Sequence, residues 1–364
     1  MLEEREDFDK ILLDTLKKTS FLKYEENLKD DKYYINKYLN FISSKSLSEN
    51  VFQTLINEYS SSLIWWKKGV QAIYVNLAIS KQLRNLFAQR TISLSKQYKD
   101  YLILGGNHRL RLFYGDLEDS IVILKNGEHQ KFITNDIFIR TEYNLPYAPQ
   151  IFDSGNDWLR EEYFNGIPLN RLQNQEKVAK ITREIIENHL RQLLIPSSEV
   201  ICLKEYFELI ENEVNEFFET KEITVKENVK SIIKKVFDLL FKRILYDSVK
   251  ISWSHGDFQV ANILINNDSF KVIDWEAANK RYYFYDLFTL ASKIRSNISI
   301  NEAINNFKSE SLNFDNISLD DDMIFLLLIE ELRFHINEEF SKNFYSSGIK
   351  TEKLCHSIIT YINE

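Results

Sequence analysis

The stretch ISWSHGDFQVANILINNDSFKVIDWE, residues 251–276, constrains the fold more tightly than any other part of the chain. Asn-Asn-Asp-Ser (266–269) between two short apolar runs reads as a hairpin turn. Ahead of it stands a polar cluster, His255, Gly256 and Asp257, which a buried strand pair alone does not need. Four residues separate Asp257 from Asn262, and Asp274 closes the second apolar run. Three side chains able to act on a proton or a hard cation therefore fall within one short span.

Composition limits what can surround this block. With 364 residues the chain is long enough for two lobes, each with its own core. Nine Gly and four Pro supply little material for a loop-rich all-β architecture, whereas Glu, Lys, Leu and Ile favour helix, so a helix-dominated α+β protein is expected. A formal net charge of -8 opposes non-specific binding to nucleic acid or an anionic membrane. Only Cys202 and Cys355 are present, too few for a disulfide framework, and a reducing, cytoplasmic location is the expectation. Cys355 beside His356 makes two ligands and not a metal site. The acidic start MLEEREDFDK is no secretory signal, and apolar runs such as IFLLLI (324–329) fall far short of the roughly 18–20 residues that span a bilayer.

Along the chain, FDKILLDTLKKTSFL (8–22) and VFQTLINEYSSSLIWW (51–66) place apolar residues three and four apart, so residues 1–90 read as a helical extension. Its apolar stripe, with Ile64, Trp65, Trp66, Val70, Ile73 and Leu77, requires a burial partner. Residues 91–165 read as a small β-rich lobe. They hold one strand, a Gly-Gly turn, a second strand, a turn through Asp116 to Asp119, a third strand ending at Lys125, and a further strand from Trp158 to Tyr163. Residues 166–364 read as a larger helical lobe, in which EYFELIENEVNEFF (205–218) is amphipathic and the hairpin is embedded. Carboxylates at 205, 208, 211, 213, 216, 219 and 222 read as a solvated helix face.

Phosphoryl transfer needs a carboxylate to orient and deprotonate the attacking hydroxyl, and oxygen ligands to hold magnesium against the phosphates. Asp257 suits the first task. Asn262 and Asp274 offer the amide and carboxylate oxygens that suit a hard cation. His255 reads as structural.

HGDFQVANIL (255–264), VIDWE (272–276) and YDLFTLAS (285–292) resemble the aminoglycoside phosphotransferase and choline kinase group of small-molecule kinases. The resemblance is strong over 251–292, looser over about 92–170 and absent from the first 90 residues. It implies a bilobal protein-kinase-like fold that takes ATP or another NTP with magnesium, Asp257 as the base, Asn262 and Asp274 as metal ligands, and Asp286 as a structural carboxylate. Gly256 stands where protein kinases carry Arg, and Gln259 where they carry Lys, so a small-molecule acceptor is favoured over a protein.

The nucleotide side is less sharply marked. Gly105 and Gly106 form either a turn over the phosphates or a plain β-turn. Lys125 is the better match for the phosphate-gripping lysine, with Lys131 as rival; for its acidic partner Glu142 fits better than Asp136. DWLREEYFNGIPL (157–169) resembles the family's connection between lobes, in which backbone near Glu162 and Tyr163 reads adenine. The acceptor and the oligomeric state are not legible, although Trp253, Tyr282, Tyr283 and Tyr285 could stack on a sugar or cage an amine. The alternative is a catalytically idle, kinase-like binding or scaffold protein.

Overall fold

A computed structural model describes residues 6–22, 30–52, 56, 65–115, 117–219, 227–267, 269–296, 298–311, 319–340 and 348–363. The chain divides into two compact units, one built from residues 1–180 and 261–273, the other from 181–260 and 274–364.

In the first unit eight antiparallel strands form one sheet. In chain order they are β1 (Asp30–Asn36), β2 (Phe41–Ser44), β3 (Arg90–Ser95), β4 (Tyr101–Gly105), β5 (Arg109–Tyr114), β6 (Asp119–Leu124), β7 (Ile151–Ser154) and β8 (Trp158–Glu162), arranged 3-1-2-4-5-6-8-7. Side chains alternate across it, as the pleat requires. Ile42, Ile103 and Leu112 face a core with Leu12 and Leu16 of helix α1 (Glu6–Lys18). Their neighbours Phe41, Leu102 and Phe113 face a second core with Val75, Ala78 and Ile79 of α2 (Trp65–Ile79). Each such fully buried aliphatic or aromatic side chain contributes roughly 1.5–3 kcal/mol, far more than helix propensity does.

Within residues 1–90, which the sequence reads as helical, the structure also places two strands, β1 and β2, and the first residue of β3. The reason lies in that double coverage: the last four residues of β1, Tyr33–Asn36, are all buried, so no polar-apolar alternation marks the strand. Of the expected apolar stripe, Val70 and Ile73 are 62% and 65% exposed, because α2 packs through another face. Ile64, Asp116 and the helix expected over 53–55 and 57–64 lie outside the described residues.

A short helix, α3 (Arg84–Phe87), precedes β3, and α4 (Lys131–Glu142) follows β6. The expected hairpin is present as β12 (Ile263–Asn266) and β13 (Ser269–Val272), whose partner is β9 (Ile167–Pro168).

The second unit is mainly helical. Helix α5 (Gln175–His189) crosses into it, followed by α6 (Leu203–Glu219), α7 (Glu227–Phe241), α8 (Tyr285–Ser292), α9 (Ile300–Ser311), α10 (Asp321–Phe340) and α11 (Ile349–Asn363). A three-stranded antiparallel sheet, β10 (Glu199–Cys202), β11 (Ser248–Ser254) and β14 (Asn279–Tyr282), has β11 at its centre. The loop leaving β11 is His255-Gly256-Asp257.

Candidate active site

The path of this loop depends on a glycine. Gly256 has φ +83°, and a Cβ there would stand 2.2 Å from the Ala277 carbonyl oxygen. An L side chain would meet both a left-handed penalty and a fixed backbone atom. That contact explains locally why the arginine of protein kinases has no room at this position.

Asp286, in the first turn of α8, holds the loop from beneath. Its Oδ1 accepts from Ser254 Oγ at 2.6 Å and from the Gly256 N–H at 3.0 Å; its Oδ2 accepts from the His255 N–H at 2.7 Å and from His189 Nε2 at 2.8 Å. Burial alone would raise this carboxyl. The hydrogen bond from His189, the electrostatic pull of the His189 and His255 rings and the Ser254 hydroxyl together hold it at about 2. Phe258 stacks on the His189 ring at 4.2 Å, and His255 lies 4.6 Å from the Trp275 ring, between centroids. His255 Nδ1 accepts from the Asp257 N–H at 3.3 Å, so the histidine is a strut and its ring is fully buried.

The Asp257 side chain is only partly covered, and both its oxygens are engaged. Oδ1 accepts from Arg295 Nε at 3.0 Å and Oδ2 from Gln259 Nε2 at 2.8 Å. Neither partner is signalled by the sequence; Arg295 lies 38 residues further along the chain. Beyond Arg295 sits Glu331 of α10, which also accepts from Tyr285 Oη at 3.0 Å and contacts His335 Nε2 at 3.0 Å. Burial would raise the Glu331 carboxyl, but the Arg295 charge and the bonds from His335 and Tyr285 bring it down to about 2.

Asp274 begins the short 3-10 turn Trp275–Ala277 with φ 70° and ψ 52°, a left-handed conformation uncommon for a residue with a Cβ. Asn262 ends another such turn, Val260–Asn262, and its carbonyl accepts from the Ile273 N–H at 2.9 Å. The hairpin base is thus closed one residue before Asp274. An amide oxygen and a carboxylate are hard donors of the kind magnesium takes.

On the first unit, Gly105 ends β4 and the Gly106 N–H donates to Arg109 O at 2.9 Å. Lys125 Nζ folds onto this turn, donating to Gly106 O at 2.5 Å and Asn107 O at 2.9 Å. Glycine turn and lysine are therefore brought together. Of the two acidic residues weighed as the lysine's partner, Asp136 is buried and Glu142 is exposed in the last turn of α4. Asp136 bonds Arg109 of β5 and Arg140 of its own helix, and Arg140 Nη1 continues to Glu161 of β8 at 2.7 Å. Burial raises the Asp136 carboxyl, but the two guanidinium charges, Arg140 first, leave it below the usual range.

At the end of β8, the Glu162 N–H donates to Gln150 O at 2.8 Å and the Tyr163 N–H to Glu118 O at 3.0 Å. Glu162 also meets Lys271 of the hairpin at 3.1 Å. Both amides, expected to read adenine, are engaged within the fold. Glu213, assigned to a solvated helix face, instead accepts from Arg333 Nε at 2.6 Å and from the amides of Asn279 and Asn337 at 3.0 and 2.9 Å.

Residues 153–315 match the model of the phosphotransferase enzyme family. Among solved structures, a thermostable mutant of aminoglycoside phosphotransferase APH(4)-Ia, in its apo form, superposes with a TM-score of 0.51 at 14% identity, over 72% of this chain and 94% of that one. The choline kinase of Cryptosporidium parvum Iowa II gives 0.46 at 15% identity, over 74% and 91%, and choline kinase LicA of Streptococcus pneumoniae 0.44 at 13%, over 78% and 98%. Comparison with curated proteins finds no match. The first superposition carries the fold: an α+β, kinase-like chain. With the family match, it bears out the resemblance to aminoglycoside phosphotransferases and choline kinases read from HGDFQVANIL and VIDWE. Over residues 153–315 the chain is thus similar to phosphotransferases. Among the described residues no helix is long and apolar enough to cross a membrane.

Proposed function

We propose that the protein transfers the γ-phosphoryl group of ATP to a hydroxyl of a small molecule, with Asp257 as the base. The observation that carries the reading is the clamp of Asp286, which accepts three hydrogen bonds from residues 254–256 and a fourth from His189 and so fixes the backbone from which Asp257 projects. A reaction whose transition state is loose asks for orientation more than for covalent chemistry, and a clamped loop supplies it. The Asp257 carboxylate accepts the acceptor's hydroxyl proton as the new O–P bond forms and ADP leaves. Asn262 and Asp274 would hold magnesium, which when bound neutralises charge on the phosphates. Lys125, beside the Gly105-Gly106 turn, grips phosphate, and backbone after Tyr163 reads adenine.

The test is magnesium-dependent ATP consumption screened over aminoglycosides, choline-like amines, sugars and nucleosides. Asp257→Asn is expected to keep nucleotide binding and lose turnover by roughly a hundredfold or more. Nucleotide binding without turnover on any acceptor would favour an idle, kinase-like binding protein; near-full activity of Asp257→Asn would remove the base from that residue.

A further inference from the structure

We infer that Arg295 is the positioning residue of the Asp257 carboxylate, holding one of its oxygens so that the other meets the acceptor hydroxyl. The inference rests on Asp257 being the base.

Arg295 reaches the site because of how α8 ends. Lys293 caps that helix in a left-handed conformation, φ 57°, and Ser292 Oγ accepts the Ile294 N–H at 3.2 Å, turning the chain into the short helix Ile294–Ser296. Helix α8 thereby acts on the loop twice: Asp286 in its first turn binds the backbone, and its exit delivers Arg295 to the carboxylate.

The guanidinium has no freedom left. Nε donates to Asp257 Oδ1 at 3.0 Å, Nη1 to Glu331, and Nη2 to Tyr285 Oη at 3.0 Å, while its carbon lies 3.7 Å from the centre of the Phe334 ring. Three nitrogens with three different acceptors fix both the position and the plane of the group, and Glu331 supplies the opposite charge that makes a partly buried cation tolerable.

The two oxygens of Asp257 are held unequally. Oδ1 has a charge-assisted bond from a locked partner. Oδ2 has a neutral amide, Gln259 Nε2 at 2.8 Å. A hydroxyl can take the place of a neutral donor at little cost, whereas displacing Arg295 would leave a partly buried cation short of a partner. Oδ2 is therefore the oxygen that receives the acceptor proton. In a loose phosphoryl transfer aim matters more than basicity.

The experiment compares wild type, Arg295→Gln and Arg295→Ala, using whichever acceptor class supports turnover and water where none does. Arg295→Gln is expected to lower kcat by about thirtyfold or more with KM for magnesium-ATP within about twofold, and added guanidinium ion is expected to restore at least a tenth of the lost rate to Arg295→Ala. An unchanged kcat in a folded Arg295→Gln, or a loss traced wholly to unfolded protein and not rescued by guanidinium, overturns the inference. Melting temperatures of Asp257→Asn, Arg295→Gln and the double variant read the pair without any activity. The double variant is expected to melt no lower than the worse single, and shifts that simply add overturn the clamp. A wild type that turns over nothing refutes the proposed function instead, and the melting cycle still decides the pairing.

Discussion

Replacing Asp286 by Asn tests the central feature of the loop. The carboxylate accepts four hydrogen bonds while fully buried, two on each oxygen, and each oxygen takes one backbone N–H. An asparagine has one oxygen and one NH2 group. The Ser254 hydroxyl can rotate and the His189 ring can change tautomer, but the N–H groups of His255 and Gly256 cannot be reversed. Whichever way the amide is placed, one of them faces a donor. A buried donor left unsatisfied costs about 1–3 kcal/mol, and losing the charge weakens the remaining bonds by about 1 more, so a loss of about 2–4 kcal/mol is expected. Asp286→Ala removes the carboxylate from all four donors, leaving the Gly256 N–H only Ser254 Oγ at 3.0 Å, and is expected to cost about 4 kcal/mol or more, a large part of a typical total of about 5–15. Urea denaturation followed by tryptophan fluorescence is a suitable assay, because buried Trp275 packs on His255 and reports the site itself. Acid gives a second readout. The carboxyl drops from an ordinary 3.8 to about 2 on folding. A depressed value stabilises the fold above the unfolded pKa, and that contribution, about 2 kcal/mol, is lost as pH falls from about 4 towards 2. Asp286→Asn should lack this acid limb. An Asn variant within about 0.5 kcal/mol of wild type, with its acid limb intact, would refute the clamp.

Two further substitutions separate backbone from side-chain roles. Gly256→Ala should cost at least about 2 kcal/mol, from the left-handed conformation and the contact with Ala277 O, and should lower turnover by displacing Asp257; a melting curve and an ATP assay check both. Asp274→Gly and Asp274→Ala should weaken magnesium-ATP binding equally and leave magnesium-free nucleotide binding nearly unchanged, yet Gly should be more stable than Ala by about 1 kcal/mol because it relieves φ 70°. Equal losses with and without magnesium would make Asp274 structural.

What the sequence discloses of the site is the part that is contiguous. Asp257, Asn262 and Asp274 fall in one short block whose turns and apolar runs can be read residue by residue, and Asp286 follows in YDLFTLAS. What it conceals is everything that reaches the loop from a distance. His189 lies 97 residues before Asp286, and Glu331 36 residues after Arg295. On the nucleotide side, that Asp136 is buried and Glu142 exposed could not be read from α4, which has no clear amphipathic stripe: Phe138 is exposed while Arg140 is buried. The strands in residues 30–44 were hidden for the opposite reason, since both faces of their sheet are covered and period-2 polarity vanishes.

One concealed feature did leave a trace. Helix α10 carries IFLLLIEELRF, and residues on every side of it are buried, among them Leu326, Leu327, Leu328, Ile329 and Leu332. Two glutamates in the middle of such a helix cannot face water, so each must find a cation or be protonated. Being adjacent, they point about 100° apart and need separate partners. Glu330 turns to Arg281 at 3.0 Å and Arg333 at 3.2 Å, with Tyr206 Oη donating at 2.8 Å; Glu331 turns to Arg295. Once α10 is seen to be buried on every side, its sequence calls for two separate partners for these carboxylates. Which arginines serve does not follow from it, because Arg281, Arg295 and Arg333 are equally ordinary in their own surroundings, and only the fold decides that Glu330 ties helix to sheet while Glu331 braces the arginine that holds Asp257.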